Sequence, residues 1–308
     1  MGNEQYHIPV LLNEILDVFG AMGEGVIMDG TLGGGGHSAA LLDKIPGLHI
    51  IGIDRDADAI SFASQRLASY GSRIKIYSAR FDEMNKIAAS VAPEGVDGIL
   101  LDLGISSKQI DNSARGFSFS ASGPLDMRMD KRNPMSAFEL INDGQQSALE
   151  KIFREYGEER KAGKIASAIV SRRTVRKIET TAELADIIGS VCGRDVKAKA
   201  RIFQAIRIAV NCEMDSLDKV LETAPALLKS GGRMAVISYH SLEDRRVKRV
   251  FRDLTDYVDR GTARLPGDEN PSPPPFKLVT RKAIIPTDSE IALNSRARSA
   301  KLRVLEKI

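Results

Sequence analysis

The sequence predicts an α/β chain: an open, doubly wound parallel sheet with an all-helical domain inserted after its fourth strand. Three observations lead there. Apolar runs of strand length alternate with helical segments over the first 104 residues. Three of those runs stop abruptly at an aspartate: Asp29, Asp54 and Asp102. From about residue 135 to 228 only helical periodicity is present.

Each element follows in order. Val26-Ile27-Met28-Asp29 reads as the first strand, and the glycines Gly33-Gly34-Gly35-Gly36 turn it into a helix over 37–44. Strand 48–53, helix 56–69, strand 74–77, helix 83–91 and strand 96–102 come next. The runs before Asp29, Asp54 and Asp102 are apolar throughout, as a parallel strand covered on both faces must be. The alternation then gives way to residues 105–135, rich in Ser, Gly, Asp and Pro, where functional loops concentrate. Helices are expected over 135–141, 147–156, 159–170 and 181–191. Another starts near Ala200, with Ile202, Phe203, Ile206 and Val210 at helical spacing, and an amphipathic stretch runs on to Leu228. Gly231-Gly232 is expected to end that stretch before strand returns over 233–238. The boundaries that result are 1–109 with 213–308 for the sheet domain and 110–212 for the insert. Pro271-Ser272-Pro273-Pro274-Pro275 reads as a loop.

Composition removes several classes of function. The 308 residues are 43% hydrophobic and 28% charged, and no apolar run approaches the ~20 residues that span a bilayer. A soluble protein with no membrane partner is expected. The N-terminus lacks the basic-then-apolar order of a signal peptide, and Tyr6 stands where a myristoylation motif wants Ser or Thr. The two cysteines, Cys192 and Cys212, lie outside any CxxC, so neither a zinc site nor a disulfide framework is expected, and a reducing cytoplasm is the default. The serine-hydrolase elbow and HExxH are absent, and the nearest P-loop match has one residue too many and Ile165 in place of the metal-binding hydroxyl.

Charge is divided by region. Residues 1–100 hold 7 basic and 13 acidic side chains, residues 151–210 hold 14 and 7, and residues 277–308 hold 8 and 3. Such basic stretches mark either a phosphate-binding surface or solvated helix faces with local ion pairs. Composition alone leaves both open.

The carboxyl ends of parallel strands are where an open α/β sheet binds ligands, so Asp29, Asp54 and Asp102 point at one crevice. Asp54 follows Asp29 by about 25 residues, near the spacing at which an acidic side chain grips a ribose hydroxyl. A dinucleotide and S-adenosylmethionine both satisfy this much. Two details favour the second: Asp29 opens the glycine turn, where it would repel a pyrophosphate and welcome a cationic ligand end, and Asp102 provides a further acidic strand end. A second constellation is Ser238-Tyr239-His240-Ser241-Leu242-Glu243-Asp244-Arg245, where Ser241 and Asp244 resemble a helix-opening pair and His240 projects from a strand end. Arg245, Arg246, Lys248, Arg249 and Arg252 make the following helix basic. Asp126, Arg128 and Asp130 sit in a Gly/Pro-anchored loop, either as functional residues or as internal salt bridges that pin the insert to the sheet domain, and Phe117 and Phe119 either stack on a base or anchor that loop.

Longer strings carry a family resemblance. They are His7-Ile8-Pro9-Val10-Leu11-Leu12, the glycine turn ending in His37, Leu101-Asp102-Leu103-Gly104-Ile105-Ser106-Ser107 and Arg115-Gly116-Phe117-Ser118-Phe119. Gly123-Pro124-Leu125-Asp126-Met127-Arg128-Met129, Tyr156-Gly157-Glu158-Glu159-Arg160, Phe203-Gln204-Ala205-Ile206-Arg207-Ile208, His240-Ser241-Leu242-Glu243-Asp244-Arg245 and Ser295-Arg296-Ala297-Arg298-Ser299-Ala300 continue it. Nearly end to end, the chain resembles the bacterial small-subunit ribosomal RNA cytosine-N4 methyltransferases. One departure is Asn294-Ser295, where that family often has Asn-Pro.

The resemblance implies a Rossmann-like, class I S-adenosylmethionine-dependent methyltransferase domain, with the helical insert recognising RNA. Small-subunit rRNA or the assembled small ribosomal subunit is the implied partner, and N4 of a decoding-region cytidine the methyl acceptor. By position, the implied cofactor contacts are Gly34, Gly35, Gly36, His37, Asp54, Phe81, Asp102 and Gln109. Asp102 or the backbone carbonyls of Leu103-Gly104 are the candidate holders of the amino protons, and Asp126 and His240 are candidates for the substrate side or for removing the proton afterwards. No metal is implied, and the sequence leaves the oligomeric state open.

Overall fold

A computed structural model describes residues 9–193, 195–256 and 274–308. The readings of residues 1–8 and of the loop at 271–273 fall outside the described residues. Two compact units emerge, Met1–Gly104 with Ser216–Ile308, and Ile105–Asp215.

In the first unit, helix α1 (Leu12–Phe19) precedes strand β1 (Glu24–Asp29). Helix α2 (Gly36–Lys44), strand β2 (Gly47–Asp54), helix α3 (Ala57–Arg66), strand β3 (Ile74–Ser78), helix α4 (Met84–Val91) and strand β4 (Val96–Asp102) follow. The second unit contains α5 (Ser107–Asp111), α6 (Ala137–Asp143), α7 (Gln146–Glu155), α8 (Ala162–Val175), α9 (Thr181–Cys192) and α10 (Val196–Asn211). Helix α11 (Glu213–Thr223) leads to β5 (Leu228–Ser238) and α12 (Ser241–Thr255). Strand β6 (Phe276–Leu278), helix α13 (Asp288–Leu293) and strand β7 (Lys301–Lys307) complete the described chain.

The seven strands form one sheet in the order β3-β2-β1-β4-β5-β7-β6. Strands β1 to β5 pair in parallel, and β7 runs antiparallel to both neighbours. This is a Rossmann-like α/β sheet whose strand order reverses between β1 and β4. The connections leaving the carboxyl ends of those two strands therefore diverge to open a crevice. One side of the sheet is closed by Ile15 and Phe19 of α1 and Leu41 and Leu42 of α2, packed with Ile27, Ile50, Leu100, Ile237 and Leu302.

Several boundaries differ from those expected, for local reasons. Gly231-Gly232 does not end a helix: it lies inside β5, where the pairing with β4 jumps from Val96↔Leu228 to Gly98↔Arg233. The pair makes an irregularity in a long strand, with Gly231 at φ +80°. Helix α8 starts later than 159 because Glu158 adopts φ +48° and Glu159 is buried against Arg201. The long helical stretch of the insert's end is broken by Cys212, whose φ of +49° separates α10 from α11. Helix α12 opens one residue earlier than Ser241 suggested. His240 is its N-cap, and Glu243 reaches back to the backbone of Tyr239 and His240.

The second unit has its own core, built from Phe153, Ile165, Ile169, Leu184, Ile202 and Ile206. The loop after α5 joins it through Leu125, Met127 and Met129. Asn211 locks that loop: its Oδ1 accepts from Met129 N at 2.8 Å, and its Nδ2 donates to Met127 O at 2.7 Å. Both partners are buried, so Asn211→Ala strands a donor and an acceptor away from water. The expected cost is about 2–3 kcal/mol, read as a melting temperature lowered by several degrees in calorimetry. An unchanged melting temperature would show that the loop is held by its apolar contacts alone.

Candidate active site

The glycine turn after β1 is built from beneath. Asp29 is only 2% exposed. Its Oδ2 accepts from Ser38 Oγ at 2.7 Å and its Oδ1 from Thr31 N at 3.2 Å. Burial pushes its pKa up, and the hydrogen bonds from Ser38 and Thr31 pull against that rise. Asp29 thus brackets the start of α2 and does not offer its carboxylate to a ligand by contact. That corrects its expected meeting with a cationic ligand end. The turn needs glycine at two points in particular. Gly33 (φ +52°) and Gly35 (φ +73°) are left-handed, and a Cβ on Gly35 would come within 2.9 Å of Leu67.

Asp54, at the end of β2, ties the second strand to this turn. Its Oδ2 accepts from Gly33 N at 2.7 Å and its Oδ1 from Asp56 N at 2.8 Å. Burial raises its pKa, and these two backbone bonds oppose the rise. Each oxygen keeps a lone pair for a further donor. Phe81 follows β3, and a Cβ on Gly30 would lie 3.2 Å from Phe81 Cβ and 2.6 Å from Leu101. The turn, Phe81 and the end of β4 are therefore packed together.

Asp102 stands across the turn from Asp54 at the end of β4. Its N–H donates to Thr31 Oγ1 at 2.6 Å, and its Oδ1 accepts from the Tyr239 hydroxyl at 2.7 Å. Its side chain keeps 25% exposure. Desolvation pushes its pKa up to about 7. The Tyr239 hydrogen bond pulls the other way, and the Glu243 charge pushes with desolvation. His37 lies behind it, with Nδ1 3.8 Å from Asp102 Oδ2 and Nε2 3.0 Å from Val10 O. Burial lowers the His37 pKa, so the ring is neutral and Nε2 donates to that carbonyl.

His240 is nine-tenths buried next to Tyr239. Its Nδ1 accepts from Glu243 N at 3.4 Å. Its Nε2, 3.1 Å from Glu243 Oε1 but out of line with it, has no hydrogen-bond partner among the described residues. His240 is thus both a helix cap and a buried nitrogen with unspent capacity.

The first unit therefore gathers Gly34, Gly35, Gly36, His37, Asp54, Phe81, Asp102 and His240 at the carboxyl ends of its parallel strands. Gln109 and Asp126 belong to the second unit. Gln109 is buried in the capping box of α5, its Oε1 accepting from Ser106 N at 3.0 Å. Asp126 grips Arg128 with both oxygens, Oδ1 to Nε at 2.7 Å and Oδ2 to Nη2 at 3.1 Å. Its pKa falls below the usual carboxylate range: the Arg128 bonds outweigh the upward push of desolvation, the largest single influence. Such a carboxylate is suited to holding a loop rather than to accepting a proton. Tyr239 is the residue that sequence reasoning missed. The available signal was its place immediately after a strand that pairs with β4, where Asp102 faces Ile237.

Among the described residues no group of His, Cys, Asp and Glu could hold a metal ion, and no helix is long and apolar enough to cross a membrane. What the crevice offers is chemical: carboxylates on either side of a glycine turn, one of them poised to titrate near neutrality.

The comparisons agree with that chemistry. The profile of the MraW methylase family matches residues 4–308. A protein of Geobacter sp. (strain M21) called ribosomal RNA small subunit methyltransferase H is 47% identical over 312 residues, covering 98% of this chain and 99% of that one. A protein of the same name from Citrifermentans bemidjiense is 47% identical over 313 residues, with the same coverage. Another, from Chlorobaculum parvum, is 44% identical over 322 residues and covers all of both chains. On this evidence the chain belongs to the MraW methylase family.

Proposed function

We propose that this protein transfers a methyl group from S-adenosylmethionine to the exocyclic N4 of a cytidine in the decoding region of small-subunit rRNA. The observation that carries the proposal is Asp102, a strand-end carboxylate facing the crevice and half-ionised near neutral pH, opposite Asp54 across the glycine turn. The family membership and the names of the relatives agree with it.

The residues present fit this cofactor. Asp54 has spare acceptor capacity for the two ribose hydroxyls, and its two backbone bonds keep it aimed. The turn through Gly34, Gly35 and Gly36 lets a ligand approach the backbone, and His37, whose ring is spent on Val10, contributes through its own main chain. Phe81, packed beside the turn, would help to line the cofactor site, and the resemblance assigns it and Gln109 to the cofactor. When bound, S-adenosylmethionine supplies an electrophilic methyl carbon on a cationic sulfur.

The protein's own task is the acceptor nitrogen, whose lone pair is delocalised into the base. Asp102 accepts an N4 hydrogen, turns the lone pair toward the methyl carbon and removes the proton as the new bond forms. Holding the reactants in line supplies up to roughly 7–11 kcal/mol of the barrier, so no strong base is required beforehand. His240, with its unspent Nε2, is assigned to the substrate side, and Asp126 there to holding the loop through Arg128. The target base must be unstacked to reach the crevice. The insert and the exposed Arg245, Lys248, Arg249 and Arg252 of α12 provide cations for the surrounding phosphates. The cytoplasm, where rRNA is assembled, is the inferred location.

Methyl transfer from labelled cofactor to small subunits, to naked small-subunit rRNA and to large-subunit rRNA tests this reading. Label in the first or second substrate only is expected. Raising salt from 50 to 200 mM is expected to weaken RNA binding at least about tenfold. Label in large-subunit rRNA, or salt-independent binding, would contradict the proposal.

A further inference from the structure

We propose that Tyr239 is a positioning residue for Asp102: its hydroxyl holds Oδ1 so that Oδ2 is the oxygen presented to the target amino group. This inference rests on the reading of Asp102 as the acceptor of the amino proton.

The two oxygens of Asp102 are not equivalent. Oδ1 is taken by the Tyr239 hydroxyl at 2.7 Å. Oδ2 accepts no hydrogen bond among the described residues. His37 Nδ1 stands 3.8 Å from it, beyond hydrogen-bond reach, while the other ring nitrogen is engaged with Val10 O at 3.0 Å. The carboxylate thus has one oxygen anchored and one available.

The anchor is itself fixed. Tyr239 N donates to Glu243 Oε2 at 2.8 Å, and Glu243 is buried at the start of α12. The ring lies against Gly104, where a Cβ would come within 3.5 Å of its Cδ2. On the other side, Thr31 Oγ1 holds the Asp102 backbone. Burial and the neighbouring carboxylates raise the Tyr239 pKa well above its ordinary value, so the hydroxyl remains a donor throughout the working range. The titratable groups facing Asp102 are Tyr239 at the end of β5, Glu243 on α12, His37 on α2 and Asp29 at the end of β1. Among them Tyr239 is the one that donates to the carboxylate.

The N4 lone pair forms the new N–C bond while the S–C bond breaks, its electron pair staying on sulfur. One N4 hydrogen leaves as a proton to Asp102 Oδ2 and passes from there to solvent. A donor on Oδ1 favours the ionised form of the carboxyl and stops it rotating away from the base.

Tyr239→Phe keeps the ring and removes the donor. The expected result is a kcat about tenfold lower with the KM for S-adenosylmethionine within twofold of wild type. The acid limb of the kcat–pH profile should move up by about one unit, because the bond that favours the carboxylate is gone. A readout independent of turnover is the titration of 13Cγ-aspartate-labelled protein, with the Asp102 resonance identified by its absence in Asp102→Asn. Its midpoint should rise by the same amount. If the phenylalanine variant fails to fold, fluorotyrosine incorporated at position 239 supplies a stronger donor of nearly the same shape, and both midpoints should fall. An acid limb and an Asp102 titration that do not move in either variant overturn the role of Tyr239 alone. Full activity in Asp102→Asn overturns the reading of Asp102, whatever Tyr239 does to the titration.

Discussion

Asp102→Asn is expected to lower kcat by about 10²–10⁴-fold, the usual range for loss of a positioned proton acceptor. Asparagine keeps the shape and still accepts from the Tyr239 hydroxyl, so the packing around the strand end is retained. Single-turnover rates would place the loss in the chemical step. In the wild type, activity should rise with pH through about 7, as the carboxyl ionises, and then level off. A second consequence concerns stability. The folded-state pKa of about 7 lies above the ordinary 3.8. Below about pH 4 the carboxyl is neutral in both folded and unfolded chains, and the full stability is present. As pH rises toward 7 the unfolded chain loses its proton more readily, so stability falls through that window. Asp102→Asn escapes the penalty. It should be more stable than wild type at pH 8 and equal to it at pH 4. A variant that is inactive and also less stable at pH 8 would point to a structural role for Asp102 instead.

Asp54→Ala is expected to weaken S-adenosylhomocysteine binding by about 10²-fold, measured by calorimetry. Two hydrogen bonds from ribose hydroxyls to a charged acceptor account for roughly that factor. The same carboxylate also holds Gly33 N at 2.7 Å and Asp56 N at 2.8 Å. Its loss therefore loosens the glycine turn and the start of α3 together. Asp54→Asn retains one acceptor oxygen and should fall between the two. Affinity within threefold of wild type in the alanine variant would remove Asp54 from the cofactor site.

The strand ends were legible because the part of a parallel strand that is covered on both faces is a run of apolar residues. Asp54 and Asp102 therefore stand out as the first carboxylates after apolar runs, and both face the crevice. Asp29 carries the same signature but lies two residues deeper in the sheet, opposite Gly52 and Leu100, its oxygens spent on Ser38 and Thr31. Pattern gives the strand end and not the depth. The glycine pair at 231–232 was misread because two glycines signal a break in either a helix or a strand, and only the pairing of β4 with β5 decides which. Cys212 breaks a helix in a left-handed conformation that non-glycine residues rarely adopt, so nothing local announced it. His240 as an N-cap was hidden by Ser241, the commoner capping residue, one position later. Tyr239 could not be found locally at all: its partner Asp102 is 137 residues away. The strand at 301–307 does alternate apolar and charged positions over Leu302, Arg303, Val304 and its neighbours, but so short a stretch after a loop gave little to weigh.

The central claim is that a single cytidine of small-subunit rRNA is the methyl acceptor, at its exocyclic nitrogen. Small subunits lacking the modification should be incubated with the protein and labelled S-adenosylmethionine, and the rRNA then digested for mass analysis of its nucleosides. The expected result is N4-methylated cytidine at one decoding-region position, formed by wild type and lost with Asp102→Asn. Label on a ring carbon, on a ribose oxygen or on any other base would contradict it.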